Sequence, residues 1–204
     1  MEQEMINNLE IKTLDADEIK TLYIDRLTKD FPPDELKPLS MIMRDMERDA
    51  YVCYGAVAGE TILAYAFFVK CGKDAMVDYY AVKDDMRDTG IGSRFIQDLI
   101  AGPLQEMNCV LLEVEDPDCA HDLGEWENRN RSLDFYRRNG LMETGVKAAI
   151  WGVAYCILEL PVGERHTADT IAAVYADIYH SMLPDAIYDE RVRIDGPEDH
   201  GSEP

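Results

Sequence analysis

The sequence predicts a mixed α/β fold built on one sheet, and two observations carry that prediction. First, residues 51 to 82 hold three β-favouring runs, two in "YVCYGAVAGETILAYAFFVKCG" around a turn at Gly59-Glu60 and a third in "AMVDYYAV", in the manner of an antiparallel meander. Second, the pattern then changes to strand, helix, strand, helix. "IGSRFIQDLI" places Ile91, Phe95 and Leu99 on one helical face, "CVLLEVE" reads as a strand, "NRNRSLDFYRRNG" as a helix closed by Gly140, and "AAIWGVAYCILEL" as one or two further strands.

The N-terminal elements follow from capping and proline signals. "INNLEIKTLD" reads as a short first strand. Asp15 or Asp17 caps a helix over "DEIKTLYIDRL", with Ile19, Leu22, Tyr23 and Leu27 on one face. Pro32 and Pro33 interrupt it, and "LSMIMRDMERD" begins a second helix. One domain is expected over residues 1–161. Beyond Pro161, residues 162–204 hold 10 acids and 3 bases. This extension is expected to carry an amphipathic helix at about 167–183, with Ile171, Val174, Tyr175, Ile178, Tyr179 and Met182 in one stripe, and a disordered end from about Pro197.

Composition excludes more than it names. The 204 residues suffice for one sizeable core and would cramp two full domains. No run reaches the roughly 18 apolar residues of a membrane helix, and "MEQEMINNLE" lacks the features of a signal peptide, so a cytoplasmic protein is expected. Twenty basic and 41 acidic residues give a net charge of −21, which repels nucleic acids and anionic membranes. That charge suits a cationic small molecule or basic peptide, and equally serves solubility alone. Five scattered cysteines without a CxxC pair and four distant histidines give no disulfide framework and no metal-ligand spacing, so no metal is expected.

The most informative stretch is "RDTGIGS", where a strand hands over to a helix. Two glycines there cost helix stability, which points to a need for bare backbone. Converging N–H groups at a helix N-terminus bind anions, and Arg87 adds a positive charge. A tight turn with a packing glycine explains the same residues. A phosphate loop of the GxxxxGK[ST] type is absent, and a dinucleotide fingerprint fails on spacing and on the antiparallel strands before it.

"YYAVKDDMRDTGIGSRFIQDL" resembles the acyl-CoA-binding segment of GNAT-type N-acetyltransferases, a strand ending in "AV" followed by RxxGxG/A and a helix. The likeness extends over about residues 5–161, through "LLEVE" and "NRSLDFYRRNGL", and is to a bacterial subgroup of uncertain substrate. It implies antiparallel N-terminal strands followed by a splayed parallel pair that binds CoA. It also implies acetyl-CoA as cosubstrate and an amine of a small molecule or peptide as acceptor, in a monomer or homodimer. Backbone amides of Thr89, Gly90, Ile91, Gly92 and Ser93 would hold the pyrophosphate beside Arg87. Ala81 and Val82 would pair with the pantetheine arm, and Arg94 or Lys83 would reach the ribose phosphate. The asparagine that the family often carries seven residues before its tyrosine is Arg129 here.

The transfer chemistry needs a neutral amine. At pH 7 only about one in a few thousand lysine-like amines is neutral, so a carboxylate, directly or through water, must take the proton. Asp78, Glu113 and Glu115 are the candidates, and lining a polar cavity is the alternative for each. Tyr136 is implied as donor to the departing thiolate, and packing is its alternative. No cysteine nucleophile is expected. The rival functions are an acyl-CoA-binding or regulatory module without catalysis, and an interaction protein working through its acidic tail.

Overall fold

The computed structural model describes residues 8–33 and 35–196. Among them eight strands form one open mixed sheet: β1 (Glu10–Thr13), β2 (Tyr51–Ala58), β3 (Thr61–Cys71), β4 (Asp74–Val82), β5 (Cys109–Glu115), β6 (Met142–Ile150), β7 (Val153–Glu159) and β8 (Val192–Asp195). The strand order is β1-β2-β3-β4-β5-β7-β6-β8. The α-helices are α1 (Ala16–Leu22), α2 (Leu39–Glu47), α3 (Ile91–Ala101), α4 (Leu123–Arg138), α5 (Ala168–Met182) and α6 (Asp185–Arg191). Antiparallel strands with a parallel pair give the mixed α/β architecture expected from the sequence. The chain divides into two compact units, residues 1–70 with 77–102 and residues 71–76 with 103–204, so β4 belongs to both.

In the first unit, Asp15 settles the start of α1. Its carboxylate accepts from the N–H groups of Asp17 (3.0 Å) and Glu18 (2.9 Å), and Glu18 reaches back to the Asp15 N–H (3.1 Å), closing a capping box. The helix then widens into a π-helical segment, Tyr23–Leu27, whose wide turn ends with the Thr28 N–H on the Tyr23 carbonyl. The extra residue lets Leu22 and Leu27, five positions apart, join Ile19 in the core. One α-helical turn, Thr28–Asp30, follows before the backbone extends at Phe31.

The proline-containing loop after it is fastened by Tyr79 of β4. Phe31 meets the Tyr79 ring edge-on at 4.9 Å. The Tyr79 hydroxyl donates to the Glu35 carbonyl (2.8 Å) and accepts from the Lys37 N–H (2.7 Å), while Tyr23 donates to the Lys37 carbonyl (2.9 Å). Tyr65, Phe67, Leu63 and Phe95 are fully buried in the same unit.

In the second unit, β7 pairs antiparallel with β5 and β6, and β8 adds to β6 with Ile150 opposite Val192. Asp122 caps α4 by accepting from the Glu125 N–H (2.9 Å), so this helix begins five residues before the run that starts at Asn128 in the sequence reading. Gly140, with φ +89°, follows its last turn. Helix α5 buries Ile171, Tyr175, Ile178 and Tyr179 and lies against β6 and β8. Helix α6 and strand β8 were not anticipated, because "VRID" is short and carries two charges among four residues. The disorder expected from Pro197 falls outside the described residues, as does the start of the first-strand run at Ile6 and Asn7.

Replacing Tyr79 by Phe keeps the ring packing and removes both hydroxyl bonds to the loop. The melting temperature should fall by roughly 3–10 °C. Hydrogen exchange at the Lys37 amide should accelerate more than exchange in β2 or β3, which the hydroxyl does not touch.

Candidate functional site

Strand β4 ends at Val82, a 3₁₀ turn covers Asp84–Met86, and α3 starts at Ile91. The Thr89 hydroxyl donates to the Met86 carbonyl (2.6 Å), tightening the turn. Gly90 then takes φ +91° and ψ −4° as the residue preceding α3. A Cβ on Gly90 would meet nothing within 4 Å, so the left-handed backbone and not crowding is what calls for glycine. The Arg94 N–H on the Gly90 carbonyl (3.0 Å) is the first rung of the helix, and no side chain caps this end. The amides of Ile91, Gly92 and Ser93 therefore lie ahead of the helical ladder, where donors face outward along the helix dipole.

This end of α3 is held firmly. Ile91 and Phe95 are fully buried. Tyr80 of β4 stacks on Phe95 with ring centroids 5.7 Å apart and donates to the Gly92 carbonyl at 2.6 Å. Ala81 is buried and Val82 half-buried directly before the turn. A rigid cluster of outward amides at the end of a strand is suited chemically to holding a phosphate group.

The cations of the turn are not bare. Lys83 pairs with Asp85 (2.8 Å), Arg87 with Asp84 (2.8 Å) and Arg94 with Asp98 (2.6 Å). Residues 83–98 hold three cations against the four aspartates 84, 85, 88 and 98, a local balance of 3 − 4 = −1. The positive charge that Arg87 brings to the turn is thus offset by its neighbours. These exposed pairs are weak, and a dianionic ligand can take over the cations at little cost. The same unit carries a groove of about 710 Å³ whose charged lining includes Asp25, Arg26, Glu60 and Lys83.

Each candidate acid sits among protein donors. In the first unit, Asp78 accepts from the Lys37 ammonium (2.7 Å) and from the Tyr51 hydroxyl. Burial, and then the Asp78 charge, push the Tyr51 phenol well up. In the second unit, Glu113 accepts from the hydroxyls of Tyr175 and Tyr179 (2.6 Å to the latter), both on α5. Glu115 lies 2.8 Å from Arg129 Nε, a charge contact that is not aligned as a hydrogen bond. Arg129 also donates to the Asp116 carbonyl (3.0 Å) and lies 3.6 Å from Glu125. At the position where the resemblance favours asparagine, this arginine ties α4 to the end of β5. Tyr136, on α4, packs edge-on against Phe135 at 5.2 Å, and burial pushes its phenol up.

Sequence reasoning missed Lys37 and Tyr51 as partners of Asp78, since no local pattern links positions 41 and 27 residues apart. It also missed Asp116, which is buried at 3% exposure. Asp116 accepts from the Lys147 ammonium (2.6 Å) and the Asp118 N–H (3.0 Å), and its own N–H donates to the Ala154 carbonyl (2.8 Å). Burial works to raise the Asp116 carboxyl, but Lys147 and the Asp118 amide outweigh it and hold it below the usual range.

Two outcomes follow from this geometry. Gly90→Ala should lower the melting temperature by roughly 2–8 °C through its left-handed backbone, and Gly90→Asn, which tolerates that conformation, should lower it less. Asp116→Asn should cost about 1–2 kcal/mol at pH 7, discounted for the half-exposed Lys147. A carboxyl with a depressed folded pKa stabilises above its unfolded value near ~3.9. The difference between the two proteins in urea melts should therefore hold from pH 7 to about 5, then shrink as the pH falls further.

Comparison with known proteins places these features in context. The acetyltransferase (GNAT) family model matches residues 16–141. No curated protein sequence matches the chain. Among solved structures, a GNAT-family protein from Bacteroides thetaiotaomicron superposes with a TM-score of 0.63 at 15% identity, covering 85% of this chain and 95% of that one. The ribosomal-protein-S18-alanine N-acetyltransferase from Escherichia coli gives 0.56 at 16% identity, with 78% and 96% covered. An aminoglycoside 6'-N-acetyltransferase complexed with coenzyme A gives 0.56 at 18% identity, with 77% and 99% covered.

Proposed function

The chain belongs to the acetyltransferase (GNAT) family, and on that premise we propose that it transfers an acetyl group from acetyl-CoA to an amine of a small molecule or peptide, by direct attack and without an enzyme nucleophile. The observation that carries the reading is Gly90, left-handed between β4 and the uncapped start of α3. Coenzyme A carries a pyrophosphate, and the amides of Thr89, Gly90, Ile91, Gly92 and Ser93 are the donors assigned to it. Arg87 and Arg94 exchange their aspartate partners for its phosphates. The backbone of Ala81 and Val82 pairs with the pantetheine arm.

Among the structural neighbours, one is named for a protein alanine and one for an aminoglycoside, so both acceptor classes stand behind the amine assignment. The amine loses its proton to Asp78, Glu113 or Glu115, directly or through water. A carboxylate has about four acceptor positions, so the two donors that hold Asp78 do not exhaust it. A backbone N–H of residues 79–82 meets the tetrahedral oxyanion. Tyr136 donates a hydrogen bond to the departing thiolate. Burial keeps its phenol protonated, which suits a hydrogen-bond donor better than an acid that gives its proton away. Among the described residues no helix is long and apolar enough to cross a membrane. The proposed setting is the cytoplasm, as monomer or homodimer.

A second reading, acyl-CoA binding without transfer, is favoured by one observation: the three candidate acids all contact protein donors or cations already. The two readings separate in one experiment. Coenzyme A at about a hundredfold excess over its Kd should raise the melting temperature by roughly 5–10 °C under both. Release of free CoA from acetyl-CoA in the presence of a panel of amines, polyamines and peptides occurs under the first alone. No thermal shift at millimolar CoA would sink both.

Tyr136→Phe keeps the ring and its packing on Phe135. Loss of one hydrogen bond to a charged sulfur costs about 1.5–3 kcal/mol, or roughly ten- to hundredfold in kcat. KM for acetyl-CoA should change less, because the ground-state thioester sulfur is a poor acceptor. Steady-state kinetics beside a thermal melt check both points. Full activity in the variant would make Tyr136 a packing residue.

A further inference from the structure

Three side chains distant in sequence meet inside the second unit. Cys109 opens β5, Glu159 closes β7, and His166 lies in the connection to α5, next to the cap residue Thr167. Their donor atoms all lie within 4.8 Å of one another. Register brings them there. Glu159 stands opposite Leu111 on β5 and opposite Met142 on β6, with a paired strand on each side. It is 3% exposed, and Cys109 is fully buried. Glu159 Oε1 sits 2.6 Å from His166 Nδ1, and both its oxygens lie 3.4 Å from the His166 N–H.

A buried carboxylate is costly unless its charge is compensated. The imidazole compensates it in part, and a thiol at the same point adds a third group of different chemistry. A catalytic nucleophile does not fit. Cys109 is out of reach of any substrate, and burial, helped by the nearby Glu159 and Asp74 charges, pushes its thiol up to about 12. The donor set suits a small cation, which would take the place of the direct Glu159–His166 contact. Thiolate, imidazole and carboxylate together are a donor set for a borderline-soft divalent ion with tetrahedral preference. The His166 side chain is 18% exposed, which leaves a way in from solvent.

We propose that Cys109, Glu159 and His166 bind one divalent ion of the zinc class through a thiolate sulfur, a carboxylate oxygen and an imidazole nitrogen. On binding, the sulfur–hydrogen bond gives way to a sulfur–metal bond and the proton leaves to solvent. The ion would then fasten the segment before α5 to β5 and β7. The inference stands apart from acetyl transfer, and its test does not read transfer.

The test uses the full chain, stripped with a chelator and titrated with zinc chloride against a chromophoric competitor. The expected result is one zinc per chain, with a rise of roughly 5–10 °C in melting temperature at a hundredfold excess over Kd. Cobalt in place of zinc should give a thiolate-to-metal charge-transfer band. This band separates the site from loose binding to the many surface acids. Cys109→Ser should abolish it. Because Cys109 is buried and its replacement risks misfolding, His166→Ala is the decisive variant. Its zinc affinity should fall by at least about a hundredfold, the upper end of what losing a ligand's supporting partner costs, while its circular dichroism stays unchanged. No uptake at millimolar zinc, uptake without the thiolate band, or wild-type affinity in folded His166→Ala would each overturn the proposal.

Discussion

Three consecutive side chains of β4 tie the first unit together, each by hydrogen bonds to a different element. Asp78 gathers the Lys37 ammonium and the Tyr51 hydroxyl. Tyr79 takes both a carbonyl and an amide of the proline-containing loop. Tyr80 reaches the first turn of α3. A loop without strands or helices has backbone groups that must find partners, and here Tyr79 of β4 meets two of them and Tyr23 a third. The strand that leads into the glycine turn is also the one that positions the loop after α1. Disturbance of β4 therefore reaches the loop before α2 and the turn after β4 together.

Electrostatics in this chain is local. The total charge of −21 gives no guide to any single group, since nearly every cation near the glycine turn has an aspartate within three to four positions or two. Exposed pairs of this kind lend little stability and are easily exchanged. The buried carboxylates follow another rule. Asp116 and Glu159 are both 3% exposed, and each is met by a cationic or ionisable partner and by backbone amides. Surface acids set the overall charge, and the two buried ones tie neighbouring segments together.

Much of the fold was legible because it rests on local pattern. The three runs of the β2–β4 meander, the Ile91–Phe95–Leu99 stripe of α3 and the glycine pair before it depend on residues close in sequence. The start of α4 was hidden because its first turn contains Gly124 and leaves Leu123 and Trp126 exposed, although Asp122 and Glu125 bear the spacing of a capping box. Strand β8 exists by pairing with β6 and not by its own propensity. The turn before α3 could be read from the spacing of its glycines. The partners of Asp78, Glu113 and Glu115 could not, because each lies on another element and comes near through folding alone. Arg129 shows the limit most plainly. It stands where the resemblance favours asparagine, and its side chain is 12% exposed between Glu115 and the Asp116 carbonyl.

The π-helical turn at Tyr23–Leu27 makes the length of this helix as informative as its composition. Each residue of an α-helix advances the chain by about 100° of rotation. Deleting one residue between Tyr23 and Leu27 would restore regular helical bonding and improve the helix taken alone. It would also swing everything after it around the axis, carrying Phe31 off the Tyr79 ring and the Lys37 amide off its hydroxyl. Substitutions at the exposed Ile24 and Asp25 leave the residue count unchanged, whereas a single-codon deletion acts on the whole loop at once. Lineages that keep this loop would be expected to vary in spelling there while holding the count of residues constant.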